Sequence, residues 1–343
     1  MPRIAADELE SLAINVLSSA GATEDEASIV AQHLVLANLS GHDSHGVIRL
    51  PQYVDEIRRG LITPGAELKT VRQWQAGMTI DANNCFGQVA CHHAMLQVIE
   101  KASHNGVAAI TLSRCGHSGR IGTYGELAAE KGMIGLVVNN AGGNGQWVAP
   151  FGGLRGRLAT NPLCIAAPTR GDFPLVLDMS TCVAPEGKVR HYHQSQKNTP
   201  DGWLIDSEGR PTNDPAALYQ TPPGALLPLG DDAGYKGYGL AVMIDILAGA
   251  LSGTGCCRAD VNLSSGRGLM MIAVDIEIWT TRKLFDQSVD SLVQHIRSTP
   301  VRPGYDAVLL PGEFEFRNRQ HRSQNGIDIT PVTWKAITEL PVS

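Results

Sequence analysis

Apolar positions recur at helical spacing from the start of the chain. Leu9, Leu12, Ala13, Val16 and Leu17 predict a helix over 7–20, with Gly21 as its stop. Thr23 stands three residues before Glu26, the spacing of a capping box, and Ala27, Val30, Ala31, Leu34 and Val35 continue an apolar face towards Gly41. A third helical pattern over 47–59 puts Arg49 and Tyr53 one turn apart on one face, with Pro51 near its start. From Val71 the rhythm changes. Strands are expected at 78–81, 107–112 and 133–138, alternating with helices over 88–104 and 121–131, which reads as α/β. A strand over 174–177, a long helix over 236–251, a strand over 269–274 and a helix over 289–297 follow. The polar, Gly/Ser-containing stretch 258–267 reads as a mobile loop, and Pro300 to Gly304 with Pro311-Gly312 predict a looser tail.

Composition narrows the possibilities. At 343 residues and 43% hydrophobic, the chain exceeds what one core usually serves, so two lobes are expected. Lys+Arg 28 against Asp+Glu 34, a net charge of −6, offers no basic field for nucleic acid. The longest apolar stretch, 239–253, is interrupted by Asp245 and falls short of the ~18 residues of a membrane span, so no membrane partner is expected. No apolar secretory segment follows Met1-Pro2-Arg3, which suggests a cytoplasmic protein. The 7 cysteines are odd in number and never spaced C-x-x-C, so they read as free thiols. The 37 glycines predict many turns and close backbone approaches.

No G-x-G-x-x-G or G-x-x-x-x-G-K-[ST] fingerprint exists, so a standard Rossmann or P-loop site is disfavoured. Gly116-His117-Ser118-Gly119-Arg120-Ile121-Gly122 nevertheless follows an expected strand and opens an expected helix, where free N–H groups and the dipole attract phosphate and Arg120 adds charge; the alternative is an ordinary turn. His42 and His45 are three apart. They could share a zinc ion with Asp43 or His117, form a helix junction capped by Asp43 or Ser44, or supply a proton to a carbonyl with Ser44 alongside. In the last reading Arg49 clamps a carboxylate, which suggests a 2-oxo acid. Asp178 ends an apolar strand and needs a partner, either structural N–H groups or His45 or a ribose. Lys236, opening the long helix, is either solvated or answers an anionic ligand.

Gly41-His42-Asp43-Ser44-His45-Gly46 with Arg49, Pro51 and Tyr53 resembles the H-x-x-S-H-G…R-x-P-x-Y signature of the type 2 malate/L-lactate dehydrogenases. That family also includes L-sulfolactate, ureidoglycolate and diketogulonate enzymes and a cyclic-imine reductase. The resemblance runs on through Gly87-Gln88-Val89-Ala90, His117 to Gly122, Pro150-Phe151-Gly152-Gly153, Thr160-Asn161-Pro162, Leu177 to Thr181, Pro211 to Pro215 and Lys236 to Leu240. Gly119-Arg120-Ile121-Gly122, Val148 to Phe151 and Leu309 to Glu313 look most like the hydroxycarboxylate dehydrogenase B subgroup.

The resemblance implies a homodimeric oxidoreductase interconverting a 2-hydroxy and a 2-oxo acid with NAD, NADP being possible. It implies an L-sulfolactate dehydrogenase-like, non-Rossmann α/β fold: a mixed sheet with helices over 71–299, and a helical cap of 1–70 packed with 300–343. Carried over by motif, His45 is the acid/base, Ser44 and Asp178 its relay, and His117 a second acid/base. Arg49, Tyr53 and Thr160 meet the substrate. Gly119, Arg120 and Ile121 hold cofactor phosphates or ribose; Val176, Leu177, Asp178, Met179 and Ser180 line the nicotinamide ribose; Tyr235 and Lys236 touch the cofactor, and Arg317, Asn318, Arg319 and Gln320 lie near it. Alternatives are cyclic-imine reduction on the same fold, or a zinc-assisted dehydrogenase using His42, His45 and His117. The chain departs from the family at Asn198 to Trp203 and at Gly187 to Tyr192, and Arg49 is present in the wider family but not expected in the subgroup. Substrate preference is therefore open.

Overall fold

A computed structural model describes residues 2–141, 145–260 and 266–341. Strand β1 (Arg3–Ile4) is followed by three helices, α1 (Ala6–Ser19), α2 (Glu24–Leu39) and α3 (Leu50–Arg58). The capping box is present: Thr23 accepts the Glu26 N–H, and the Glu26 carboxylate accepts the Thr23 N–H. Pro51 does not break α3, because it sits in the first turn, where its missing N–H costs nothing.

The α/β part then runs β2 (Lys69–Trp74), β3 (Gly77–Asp81), α4 (Gly87–Asn105), β4 (Val107–Cys115), α5 (Gly122–Glu130), β5 (Met133–Asn140), β6 (Leu163–Ala167) and β7 (Leu175–Met179). Helix α6 (Glu186–Gln194) leads to three two-residue strands, β8 (Leu204–Ile205), β9 (Pro211–Thr212) and β10 (Ala225–Leu226), paired in a small sheet of their own. Helix α7 (Tyr235–Ile244) passes into a π-helix over Asp245–Ala250, and β11 (Arg267–Asp275), α8 (Ile276–Trp279) and α9 (Arg282–Arg297) follow. The chain ends in α10 (Glu313–Asn325), β12 (Ile327–Asp328) and α11 (Pro331–Thr338). The main sheet has seven strands in the order β2-β3-β4-β11-β5-β6-β7, and only β3 and β4 are parallel. A single parallel pair rules out a doubly wound sheet, in agreement with the missing fingerprint.

Several expectations change. Strands β2 and β6 were not foreseen, because β2 is exposed along its length and reads as polar loop. The long helix is α only to Ile244; there the buried Asp245 carboxylate accepts the Asn140 and Asn161 amides and the Cys257 N–H, and the turns widen. The tail is not loose. Gly312, in the left-handed region at φ 87°, delivers the chain into α10, and Pro331 opens α11 behind the Thr330 cap. Residues 261–265 of the expected loop lie outside the described residues, while Arg267 already belongs to β11.

Two large cores meet at the site described below. One packs α4 and α5 onto the sheet around Ile80, Met95, Ile110, Leu112, Val137 and Met271. The other joins both chain ends: Leu9, Leu17, Leu34, Leu50 and Tyr53 pack with Ile327, Ile329 and Ile337. His33 crosses between them. Its Nε2 accepts the Arg120 N–H at 2.9 Å and its ring stacks on Tyr124 at 5.4 Å. Burial, then Arg120, push its pKa down from 6.5 to about 3.

Because the folded value lies below the unfolded one, the unfolded chain binds more protons across that interval. The stability tied to neutral His33 is full above pH 6.5 and lost as pH falls towards about 3. Thermal melts should therefore show stability dropping below pH 6.5 by up to about 1.4 kcal/mol per pH unit for such a ring, and His33→Gln should flatten that slope. An unchanged slope would place the acid sensitivity in other groups.

Candidate active site

The loop between α2 and α3 carries His42, Asp43, Ser44 and His45 and is stapled from both sides. Asn38, in the last turn of α2, donates to Asp43 Oδ1 at 2.7 Å and accepts the Val47 N–H at 2.9 Å. A Cβ on Gly46 would collide with that Asn38 side chain at 2.1 Å, so glycine is required there. Helix α10 clamps the loop's outer face: Arg322 pairs with Asp43 at 2.7 and 3.1 Å and donates to the Asn38 carbonyl, while His42 Nε2 lies 3.1 Å from Glu315.

Thus fixed, His45 stacks on His117, with ring centroids 5.6 Å apart and planes 16° from parallel. Ser44 Oγ lies 3.1 Å from His45 Nδ1, which leaves Nε2 to meet a ligand. Behind His117 stands a hydrogen-bond chain: Gln88 Nε2 donates to Tyr53 Oη at 2.7 Å, and the Tyr53 hydroxyl donates to His117 Nδ1 at 2.7 Å. Burial pushes the Tyr53 phenol up to about 12, so it stays a hydroxyl, and neutral His117 is left with its proton on Nε2. Burial first and Arg49 second drive His45 down to about 3 and hold His117 well below the ordinary histidine value. Arg49 Nε donates to the Ser44 carbonyl at 2.7 Å and Nη1 to Gln52 at 2.8 Å, both neutral acceptors. Helix α6 closes one side, where a Cβ on Gly187 would lie 3.7 Å from Ser44 Cβ.

A face with one neutral imidazole free at Nε2, a second donating from Nε2, and an arginine without an acidic partner can accept a proton, hold an oxygen and bind an anion. A family profile described as malate/L-lactate dehydrogenase matches residues 4–338. The chain belongs to the malate/L-lactate dehydrogenase family. It is 36% identical over 345 residues to a malate dehydrogenase from Pyrococcus abyssi, covering 98% of this chain and 93% of the relative. Hydroxycarboxylate dehydrogenase B of Escherichia coli K12 is also 36% identical, over 342 residues, with 98% and 93% covered. The solved sulfolactate dehydrogenase from Methanocaldococcus jannaschii superposes with a TM-score of 0.88 at 32% identity, covering 99% of this chain and 96% of that one. Membership in a family whose named relatives are dehydrogenases makes the chain an oxidoreductase with the non-Rossmann α/β fold of that family.

Within this member, some expected site residues converge and others do not. His45, Ser44, His117 and Arg49 come together. Tyr53 is fully buried behind His117 and faces no ligand. Asp178 makes no hydrogen bond to His45: its Oδ2 accepts the Gly122 N–H at 2.8 Å at the start of α5 and lies 3.6 Å from Arg120, and burial raises its pKa against that attraction. The Arg120 guanidinium adds no free charge, because it is 2% exposed and bonded through both Nη atoms to Glu126 at 3.0 Å, and its N–H goes to His33. Arg317 pairs with Glu313, Asn318 and Arg319 brace Ser40, Arg319 also reaches Glu126, and Gln320 is exposed. Asn318 and Arg319 thus brace the end of α2, where the loop of His42 to His45 begins. Tyr235 packs edge-on against Phe151 at 6.0 Å, away from the histidine pair. The Thr160 carbonyl accepts the Thr181 N–H and hydroxyl. The zinc alternative fails: among the described residues no three His, Cys, Asp or Glu side chains converge on one point, and His42 faces Glu315.

The amides of Gly119 and Ile121 lack internal partners, Thr123 Oγ1 is buried without one, Lys236 has no acidic partner among the described residues, and Leu177 is 39% exposed. This set of free donors with apolar surface fits an anionic, hydroxyl-rich ligand carrying a flat ring. Sequence reasoning missed Gln88, Asn38 and Glu126 as supports. Gln88 and Glu126 carried a signal, as polar residues on helix faces otherwise apolar.

Tyr53→Phe removes the donor to His117 Nδ1. The variant should lower kcat by roughly 3- to 10-fold, about the net worth of one hydrogen bond, and the ring-nitrogen resonances of 15N-labelled His117 should change from one tautomer to a mixture. An unchanged ring-nitrogen spectrum would show that Tyr53 does not set the tautomer.

Proposed function

We propose that this enzyme interconverts a 2-hydroxy acid and a 2-oxo acid, with the His45–His117 pair as its proton-handling face. The stacked pair beside Arg49 carries this reading. In the oxidative direction Arg49 holds the substrate carboxylate through its unused N–H groups. His45, neutral at working pH and with Nδ1 donating to Ser44, takes the proton of the 2-hydroxyl at Nε2. His117 donates from Nε2 to the same oxygen and orients it. A nicotinamide cofactor, when bound, would supply the hydride acceptor for C2 in this direction and the hydride donor in the reductive one.

The free amides of Gly119 and Ile121, the Thr123 hydroxyl, the strand from Val176 to Ser180 and Lys236 would hold the cofactor. NAD is the better fit than NADP, because the arginines expected at or near the cofactor are paired, Arg120 and Arg319 with Glu126 and Arg317 with Glu313. In this reading Ser44 holds the His45 ring through Nδ1, whereas Asp178 acts at one remove by fixing the start of α5. The helical cap built from the chain's two ends and the α/β part over 71–299 act as two lobes with the site at their junction.

His45→Ala should cut kcat by roughly 10²–10⁴-fold, the usual worth of positioned acid–base catalysis, followed by nicotinamide absorbance with both cofactors against a panel of 2-oxo acids and one cyclic imine. Near-wild-type turnover by the variant would remove His45 from the chemistry, and turnover of the imine alone would favour the reductase alternative.

We also infer a homodimer. Leu240, Met243, Ile246 and Leu251 leave 40–56% of their surface exposed along α7 and the π-helix, an apolar face suited to a second copy. Sedimentation should give twice 36.6 kDa, and a single 36.6 kDa species would refute it.

A further inference from the structure

Arg49 accounts for one carboxylate, but the site holds a second uncancelled guanidinium. Arg267 opens β11 opposite Cys115 of β4, and β4 runs on through Gly116 into His117. The approach is tight: a Cβ on the preceding Gly266 would meet the Arg114 Cα at 2.7 Å and the Cys115 nitrogen at 3.1 Å. The backbone that delivers Arg267 is therefore pressed against the backbone that delivers His117. Arg267 is half-buried and, among the described residues, forms no hydrogen bond and no ion pair. Its positive charge is felt at Arg49, Tyr53 and His117.

The other guanidinium acting on Arg49 is already matched. Arg190, which also acts on Arg49, is held by Glu186 at 2.8 to 3.0 Å, and the Tyr219 hydroxyl occupies the same carboxylate. Glu56, near Tyr53, accepts from Gln52. Arg49, at the histidine pair, thus has only neutral acceptors, and Arg267, in register with Cys115 two residues before His117, has no side-chain partner among the described residues. A 2-oxo monocarboxylate would cancel Arg49 and leave Arg267 without an anionic partner. A second anionic group on the substrate would supply one through a charge-assisted hydrogen bond.

We propose that Arg267 is a specificity-determining residue that selects substrates bearing a second anionic group, a 2-oxo or 2-hydroxy dicarboxylate in preference to the monocarboxylate of the same length. The proposal rests on the 2-hydroxyacid dehydrogenase reading, with Arg49 on the carboxylate next to the reacting carbon and Arg267 on the distal one.

The test compares the four-carbon 2-oxo dicarboxylate with 2-oxobutyrate in wild type, Arg267→Gln and Arg267→Lys, and measures cofactor Kd by nicotinamide fluorescence. Wild type should favour the diacid. Arg267→Gln should lower kcat/KM for the diacid by about 10- to 100-fold, the worth of a charge-assisted hydrogen bond, chiefly through KM. It should leave 2-oxobutyrate within about threefold and cofactor Kd unchanged, and lysine should restore part of the loss. Equal turnover of both acids by wild type would overturn the proposal and leave the dehydrogenase reading intact. So would an equal loss on both acids in Arg267→Gln, or a weakened cofactor Kd, which would assign Arg267 to the cofactor's phosphates. Turnover of neither acid would overturn the reading and this proposal together.

Discussion

Everything that positions the active site depends on one buried ion cluster. Arg120, almost fully enclosed, is bonded through both Nη atoms to Glu126 within α5 and faces Asp178 on β7; Arg319 of α10 reaches the same Glu126 and the Ser40 hydroxyl at the end of α2. Four elements from distant parts of the chain thus share two positive and two negative charges. Such a cluster is a poor source of net stability, because desolvating the ions offsets much of their attraction, but removing one partner strands a buried charge at a cost of about 3–5 kcal/mol. Its value is geometric. It fixes where α10 lies, and α10 in turn fixes the loop that carries His45.

The histidine pair shows the same logic with the opposite sign. No carboxylate contacts either ring, while burial and the neighbouring guanidiniums keep both neutral. A neutral imidazole serves as the base for alcohol oxidation, whereas the reductive direction needs a proton to be supplied. An anion bound at Arg49 would cancel the second-largest cause of His45's low proton affinity. In the proposed reading, substrate binding at Arg49 would then raise the basicity of His45 and couple binding to acid–base chemistry through one arginine.

The order of helices and strands was legible in the sequence because most of it rests on local periodicity and caps: the Thr23 box, the stop at Gly21 and the α/β alternation from Met78 all reappear. The polar junction of His42 to His45 between two helices was legible too, and Arg49, four residues after His45, bonds the Ser44 carbonyl beside it. What could not be read is set by contacts between distant segments. Arg120 looked like a phosphate ligand because Asp178 is its neighbour only in space and the first turns of α5 bring Glu126, six residues on, back onto its guanidinium. Tyr53 looked like a substrate contact because the chain of Gln88 and His117 joins it from two other elements. The tail was read as loose because Pro300 to Gly304 and Pro311-Gly312 are breakers when considered alone, yet Gly312 stands where α10 begins.

The start of α5 shows what the fold requires of any dinucleotide held here. In a doubly wound sheet the helix after a strand offers free N–H groups and its dipole to a phosphate. Here the Asp178 carboxylate already accepts the Gly122 N–H, His33 takes the Arg120 N–H, and the Arg120 side chain is neutralised. The helix end is electrostatically satisfied from within, and a second anion placed on it would meet Asp178 head-on. In the proposed reading a cofactor would therefore be held by the preceding turn, where the amides of Gly119 and Ile121 have no partner among the described residues, and by cations from other elements such as Lys236. The glycine at 119, in the left-handed region at φ 67° with His33 2.2 Å from where a Cβ would stand, keeps that turn open.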